Sequence, residues 1–400
     1  MSLRLRLSVM MFLQYAIWGA WLPILYPFLL GHRHFSLDQV GWILAAGAAG
    51  AIVGPFIAGQ VADRWMATEK FLGICHLAGA VLVWYLATVD TYTTFLVLSL
   101  TYGVIYTPTL ALTNSLALAH LKDPDRDFGP IRVWGTVGWI AAGIGMGQWL
   151  LMKHTPSGVS EELIKAAQDA GRADAFRLSA ILGALMGFYS FLLPHTPPSK
   201  SAHESNASLR AMGEFRRQPL LTLFLIAVPV SIVHQFYFVH TSEFLTQIQN
   251  KFQGAEGFAT SVNRIFGVGG GGLMTIGQMG EILVLAAMPL AAKRLSRKSL
   301  LLVGLLAYAG RMALFSYAAS SLPAILFALA LHGLCFGCFI FVAYLVVNEH
   351  TTKDVRASAQ NLFNLVIFGV GIIVGSKFAT EIGKWAKAED GSMDFTKLFS

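Results

Sequence analysis

Apolar stretches of about 20 residues, enough to cross roughly 30 Å of hydrocarbon, recur along nearly the whole chain between short polar connections. The pattern predicts spans near residues 8–31, 38–61, 70–89, 93–118, 129–152, 176–194, 219–245, 268–292, 299–319, 322–348 and 356–383, eleven in all. The tail from Ala386 carries Glu389, Asp390, Asp394 and Lys397 and is too short and polar to cross, so an expected twelfth span would begin at about Phe399. The run from Val9 to Leu30 is too long for a signal-peptide core and lacks a small-residue cleavage site, which keeps it as the first span.

The longest polar connection, residues 195–218, contains Pro197-Pro198, several serines, Lys200, Arg210, Arg216 and Arg217. It divides the chain into a bundle over 1–194 with six spans and a bundle over 219–400 with five spans and the polar tail. Lys and Arg in short loops mark the cytoplasmic side. Most of them, including Arg4, Arg6, Lys122, Arg126 and the run from Lys293 to Lys298, fall on the side of the N-terminus and of the central loop. The halves echo each other: Gly59-Gln-Val-Ala-Asp63-Arg64 follows span two, Pro289-Leu-Ala-Ala-Lys293-Arg294 follows span eight, and Ile131-Arg132 and Val355-Arg356 open spans five and eleven. Such weak symmetry is expected of a transporter whose two bundles rock about a site at the bilayer midplane. The segment from Gly59 to Arg64 resembles the loop signature of the major facilitator superfamily. The glycine permits close helix approach, and Asp63 and Arg64 can cap helix ends and pair across a bundle as a gating motif. The resemblance implies an all-α polytopic fold of two six-helix bundles related by pseudo-twofold symmetry.

Composition agrees. The chain is 55% hydrophobic and 13% charged, against about a quarter charged in soluble domains, which excludes a water-soluble fold. The net charge of +7 comes without a basic face interleaved with aromatics, so it reads as topology and not as nucleic-acid binding. Cys75, Cys335 and Cys338 all lie in apolar spans and give no disulfide framework. Gly267-Val-Gly269-Gly-Gly-Gly272 matches a dinucleotide fingerprint but follows no strand and opens a membrane helix, so it reads as a loop. The sequon Asn206-Ala-Ser208 falls on the expected cytoplasmic side.

An ionisable or amide side chain in hydrocarbon costs a few kcal/mol and should face a partner or a wet cavity. In span eight, Thr275, Gln278 and Glu281 recur every three residues and share one stripe. A carboxylate in a half-apolar cavity can bind and release a proton near neutral pH; the plainer reading is an ion pair with Arg311 in span nine. Span five is read as beginning at Gly129-Pro130, which places Arg132 in its first turn and Thr136 and Trp139 on the same face; Arg132 is there either a ligand contact or a snorkelling cation. Ser231, Gln235, Phe238 and Ser242 form a stripe in span seven, where Gln235 binds solute or another helix. His332, Phe336 and Phe339 line up in span ten, with His332 read as a ligand, a proton site or a packing residue. Gln14, Trp18 and Trp21 in span one and Tyr102, Tyr106, Thr113 and Asn114 in span four are read mainly as packing, Trp18 as equally a solute contact; Gln360, Asn361 and Asn364 glue helices.

The chain resembles the nucleoside:proton symporter family of that superfamily from the first span to about residue 385. The resemblance rests on Phe12-Leu-Gln-Tyr-Ala-Ile-Trp18-Gly-Ala-Trp21, Tyr106-Thr-Pro-Thr-Leu-Ala-Leu-Thr-Asn114, Pro130-Ile-Arg-Val-Trp-Gly-Thr-Val-Gly138, Gln278-Met-Gly-Glu281 and Arg356-Ala-Ser-Ala-Gln360. It implies substrate-binding roles for Arg132, Thr136, Gln235, Gln278, Glu281 and Phe336, which match in residue type. Trp139 stands for a phenylalanine, His332 for a tyrosine, Phe238 for an asparagine and Gly337 for an aspartate. Proton coupling is then expected at Glu281, with His332 sharing the role. The implied function is import of nucleosides by proton symport in a bacterial inner membrane, with no metal, cofactor or obligate protein partner. A proton-coupled sugar or other small-metabolite symporter is the nearest alternative. An enzyme or flippase is disfavoured because the sequence offers no metal-ligand pair at helical spacing, no nucleophile with a base, and no nucleotide loop.

Overall fold

A computed structural model describes residues 2–198, 213, 216–251, 257–352, 356–389 and 392–400. A long helix stands at each predicted span: α1 (Leu3–Trp21, continued by 3-10 and π turns to His32), α2 (Leu37–Arg64), α3 (Thr68–Leu86), α4 (Tyr92–Ala119), α5 (Pro124–Lys153), α7 (Ala173–Ser190), α8 (Leu220–Lys251), α10 (Gly271–Arg294), α11 (Arg297–Tyr317), α12 (Leu322–Glu349) and α13 (Arg356 through Trp385). Eight of these are long and apolar enough to cross a membrane, and the chain is an integral membrane protein. Three short helices were not predicted: α6 (Glu161–Gly171), α9 (Phe258–Phe266) and α14 (Phe395–Phe399).

Local sequence explains where several helices start. Ser2, Ser160, Ser296 and Ser321 each cap a helix by accepting a backbone N–H with the side chain, satisfying a donor that has no partner within the helix. The expected start of α5 at Gly129-Pro130 is corrected. Asp123 accepts the N–H of Arg126 at 3.2 Å and Pro124 follows it in the first turn, a stronger start than Gly129 offers. Pro130 therefore lies inside the helix, and Arg132 stands more than two turns from the end, away from the first-turn position of a snorkelling cation. Segments of π-helix widen α12 at Cys335–Phe341 and α13 at Leu365–Val370.

Contacts divide the chain into two units. One comprises 1–201 with 240–275, the other 202–239 with 276–400, so α8 and α10 each contribute to both. In the first unit, α1 packs on α5 and α7 and α2 on α4. The approaches are close because small residues occupy the crossings: a Cβ on Gly19 would lie 2.7 Å from the Trp139 backbone, and one on Gly103 would lie 2.8 Å from the Gly47 carbonyl. In the second unit α10 crosses α12, where a Cβ on Gly280 would lie 2.6 Å from the Ala330 carbonyl and one on Gly277 would lie 2.9 Å from His332 Cβ. Leu220, Leu223, Leu300, Val342, Val347 and Phe363 are among the residues of its main core cluster.

The glycine run before α10 is a loop, as expected, and its composition has a steric cause. Gly267, Gly269 and Gly270 have φ of 71°, 84° and 80°, a region that side chains disfavour, and a Cβ on Gly267 would overlap the backbone of Gly147 and Gln148. Gly267→Ala should therefore destabilise the protein by about 2 kcal/mol or more, read as a lower thermal unfolding midpoint in detergent. Gly145→Ala, which meets open space, is the control expected to leave the midpoint unchanged.

Candidate functional site

In the second unit, α10 carries Gln278 and Glu281 one turn apart. Gln278 is 6% exposed, and its Oε1 has no hydrogen-bond partner among the described residues; Glu281 is half-buried. Gln235 on α8 donates from Nε2 to Ser376 Oγ of α13 at 3.0 Å, so as found it spans two helices. Phe336 sits in the π segment of α12 against the cluster of Val230, Ala307, Tyr308, Cys335, Phe339 and Ile340. Phe238 meets the His332 ring edge-on at 5.8 Å, and these two predicted residues are in direct contact. Gly337 also lies in the π segment, with Val284 of α10 opposite it.

His332 and Arg311 form the most unusual pair. Arg311 on α11 is 0% exposed, and its Nη1 lies 2.9 Å from His332 Nδ1. Its guanidinium carbon stands 4.0 Å over the Tyr237 ring and 5.1 Å from the Tyr308 ring. Among the described residues it makes no ion pair with a carboxylate, and Nε and Nη2 have no hydrogen-bond partner. The ion pair between Arg311 and Glu281 that the sequence left open is thus replaced by histidine and aromatic contacts. His332 is also stacked on Tyr237 at 5.1 Å and on His234 at 5.5 Å. Helical spacing within one span cannot reveal this grouping, which joins three helices; a lone cation in an apolar span was the one available signal.

In the first unit, Arg132, Thr136 and Trp139 are half-buried on α5, with the Arg132 guanidinium 4.1 Å over the Tyr15 ring of α1. Gln14 is fully used within the fold: Nε2 donates to Thr109 Oγ1 at 2.8 Å, Oε1 accepts from His76 Nε2 at 2.9 Å, and its backbone carbonyl accepts from the Tyr106 hydroxyl. Trp18 and Trp21 pack on Tyr106 and on Tyr102 and Phe176. Gly59, Asp63 and Arg64 belong to the last turns of α2; their side chains lie outside the described part, as do those of Arg356 and Asn361 and the sequon at Asn206. Cys335 and Cys338 are buried free thiols within the packing.

Sequence reading missed a second polar network of this unit. Arg172, between α6 and α7, is fully buried, pairs with Asp169 and donates from Nη2 to Thr246 Oγ1 of α8 at 3.0 Å. Lys165 bridges Asp169 and Glu243 at 3.0 and 3.2 Å. Burial lowers the Arg172 guanidinium to about 10, against the opposing charge of Glu243. Nearby, Gln249 Nε2 donates to the Gly267 carbonyl and Oε1 accepts the Gly270 N–H. These contacts fasten α6, the end of α8 and the glycine loop to one another. The signal lay in the amphipathic segment from Ser160 to Arg172.

Comparison with known proteins adds a lineage. The profile of the family described as Nucleoside H+ symporter matches residues 1–400. The putative nucleoside transporter YegT of Escherichia coli (strain K12) is 32% identical over 377 residues, 92% of this chain and 82% of that protein. The xanthosine permease of the same organism is 31% identical over 389 residues, 94% and 87% of the two chains. The solved structure of the nucleoside transporter NupG superposes with a TM-score of 0.81 at 24% identity, covering 100% of this chain and 95% of its own. A D-xylose-proton symporter gives 0.67 at 13% identity, covering 100% and 95%. These similarities establish the fold as that of the major facilitator transporters.

Removing the centre of the buried network isolates its carboxylates. Arg172→Met should cost about 3–5 kcal/mol, because Asp169 and Glu243 are left to share Lys165. Thermal unfolding of purified protein in detergent checks this, with Lys165→Met, at a residue about a third exposed, expected to cost less.

Proposed function

The chain belongs to the nucleoside:proton symporter family, and from that premise we propose that it imports nucleosides together with protons across a bacterial inner membrane by alternating access. The single observation that carries the reading is Gln278 Oε1, which has no hydrogen-bond partner among the described residues, one turn from Glu281 on a membrane-spanning helix. A buried amide acceptor without a partner costs about 1–3 kcal/mol, and a polar solute that meets it removes that cost. A nucleoside has the matching chemistry: in the second unit, amide-like base edges for Gln278 and Gln235, a flat base for Phe238 and Phe336, and sugar hydroxyls for Glu281 and His332; in the first unit, Arg132, Thr136 and Trp139 offer hydrogen-bonding and aromatic groups of the same kinds. Hydrogen bonds made in a water-poor site select the solute, because a wrong one leaves them unpaired.

Glu281 is the proposed proton carrier. In the cycle it takes a proton from outside, the nucleoside binds, access switches to the inside, and both leave. Gly59, Asp63 and Arg64 act in gating at the cytoplasmic face, the side on which the N-terminus and the central loop lie.

Proteoliposomes with an imposed inward proton gradient should accumulate labelled uridine or adenosine. A protonophore should abolish accumulation, and unlabelled nucleosides but not free xylose or glucose should compete. In Glu281→Gln the accumulation ratio should fall to about one, the value of passive equilibration. A Glu281→Gln protein that still concentrates nucleoside would remove Glu281 as the coupling residue, and competition by sugars alone would replace nucleosides as the cargo.

A further inference from the structure

A guanidinium has five N–H donors and no acceptor. At 2.9 Å from Arg311 Nη1, His332 Nδ1 can therefore only accept, which requires an unprotonated Nδ1 and places the ring proton on Nε2. A second proton would turn the ring into an imidazolium whose Nδ1–H points at a guanidinium donor, setting like charges in contact. Arg311 has no carboxylate partner among the described residues, and its Nε and Nη2 have no hydrogen-bond partner there. Instead it lies against the faces of Tyr237 and Tyr308, which hold a cation through the ring quadrupole without neutralising it.

The titratable groups around the ring reinforce this arrangement. Arg311 and Tyr308 come from α11, His234 and Tyr237 from α8, and Cys335 follows His332 by one turn on α12. His234 is itself tied through Nδ1 to the Tyr308 hydroxyl at 2.8 Å. The facing helix α10 presents Gly277, whose missing side chain lets it approach His332, with Glu281 one turn further along.

We propose that Arg311 is a positioning residue that holds His332 as a permanently neutral imidazole, so that its Nε2–H is a fixed donor for an oxygen acceptor of the nucleoside and the ring takes no part in carrying protons. The proposal rests on the reading above for the assignment of His332 to the substrate; the tautomer itself rests on the geometry alone. It gives His332 the donor function of a hydroxyl without a second titrating site, and leaves the coupled proton to Glu281. It also sets a selection rule, because a ligand that presents an N–H at this point meets donor against donor and is rejected.

The direct test is nitrogen-15 NMR of histidine-labelled wild-type protein in lipid, with the His332 signals identified by their loss in His332→Phe. Between pH 5.5 and 8 the expected spectrum is that of a neutral ring with Nε2 protonated, unchanged across the range. A ring protonated on Nδ1, or one that gains a second proton within the range, overturns the proposal without touching the transport reading. The counterpart is the same spectrum in variants. In Arg311→Met the donor to Nδ1 is lost, and a ring population protonated on Nδ1 should appear, whereas Arg311→Lys, which keeps a cationic donor, should give the wild-type spectrum. A spectrum of Arg311→Met identical to that of wild type overturns Arg311 as the positioning residue; should Arg311→Met fail to fold, the wild-type and Arg311→Lys spectra still decide. His332→Phe should weaken uridine binding by about tenfold. Unaltered binding alongside the expected spectrum leaves Arg311 as the cause of the tautomer but overturns the donor role, and removes His332 from the substrate site.

Discussion

Hydrocarbon offers no hydrogen bonds, and every polar group placed within it must be satisfied by the chain itself or by what the chain carries. That constraint selects helices for the spans and glycine for their crossings, as at Gly19 against Trp139 or Gly280 against Ala330. It also makes each buried charge informative. Arg172 meets the constraint with Asp169 and a threonine hydroxyl, in the manner of a charged clasp. Arg311 meets it with two aromatic faces and one imidazole nitrogen, and with no carboxylate among the described residues.

Two buried amides show how packing and ligand recognition can be separated. Gln14 uses both ends of its side chain within the fold, so its cost is met whether or not a solute is present. Gln278 leaves its carbonyl oxygen unpaired among the described residues. Both are glutamines in apolar helices, and nothing in residue type or spacing distinguishes them; the difference lies in what neighbouring helices bring. Gln235, bonded to Ser376, falls between the two, since its amide carries further capacity.

The spans were legible because long apolar runs have few alternatives. The start of α5 was not, because Gly129-Pro130 is also a plausible helix opening and the capping Asp123 lies in a charged stretch that resembles a loop. Helices α6 and α9 were hidden for a related reason: each is short, and each turns part of its polar side, Gln168 and Asp169 in α6 and Asn263 in α9, onto protein. Among candidate site residues, the stripe on α10 followed from spacing within one helix. The companions of Arg311 did not, because Tyr237, Tyr308 and His332 come from three helices whose adjacency no single span encodes. Resemblance supplied residue roles that the pattern alone left open, and it flagged Gly337 and His332 as departures.

The absence of a side chain at Gly337 has a steric consequence. A side chain there would begin with its first carbon 2.6 Å from a methyl of Val284, in a π segment whose backbone already departs from regular helix. The space that an acidic residue would need is filled by a valine from the facing helix. An aspartate introduced there alone would find its seat taken; only together with a smaller neighbour, as in Val284→Ala, would an acid at this point of the helix become sterically accessible.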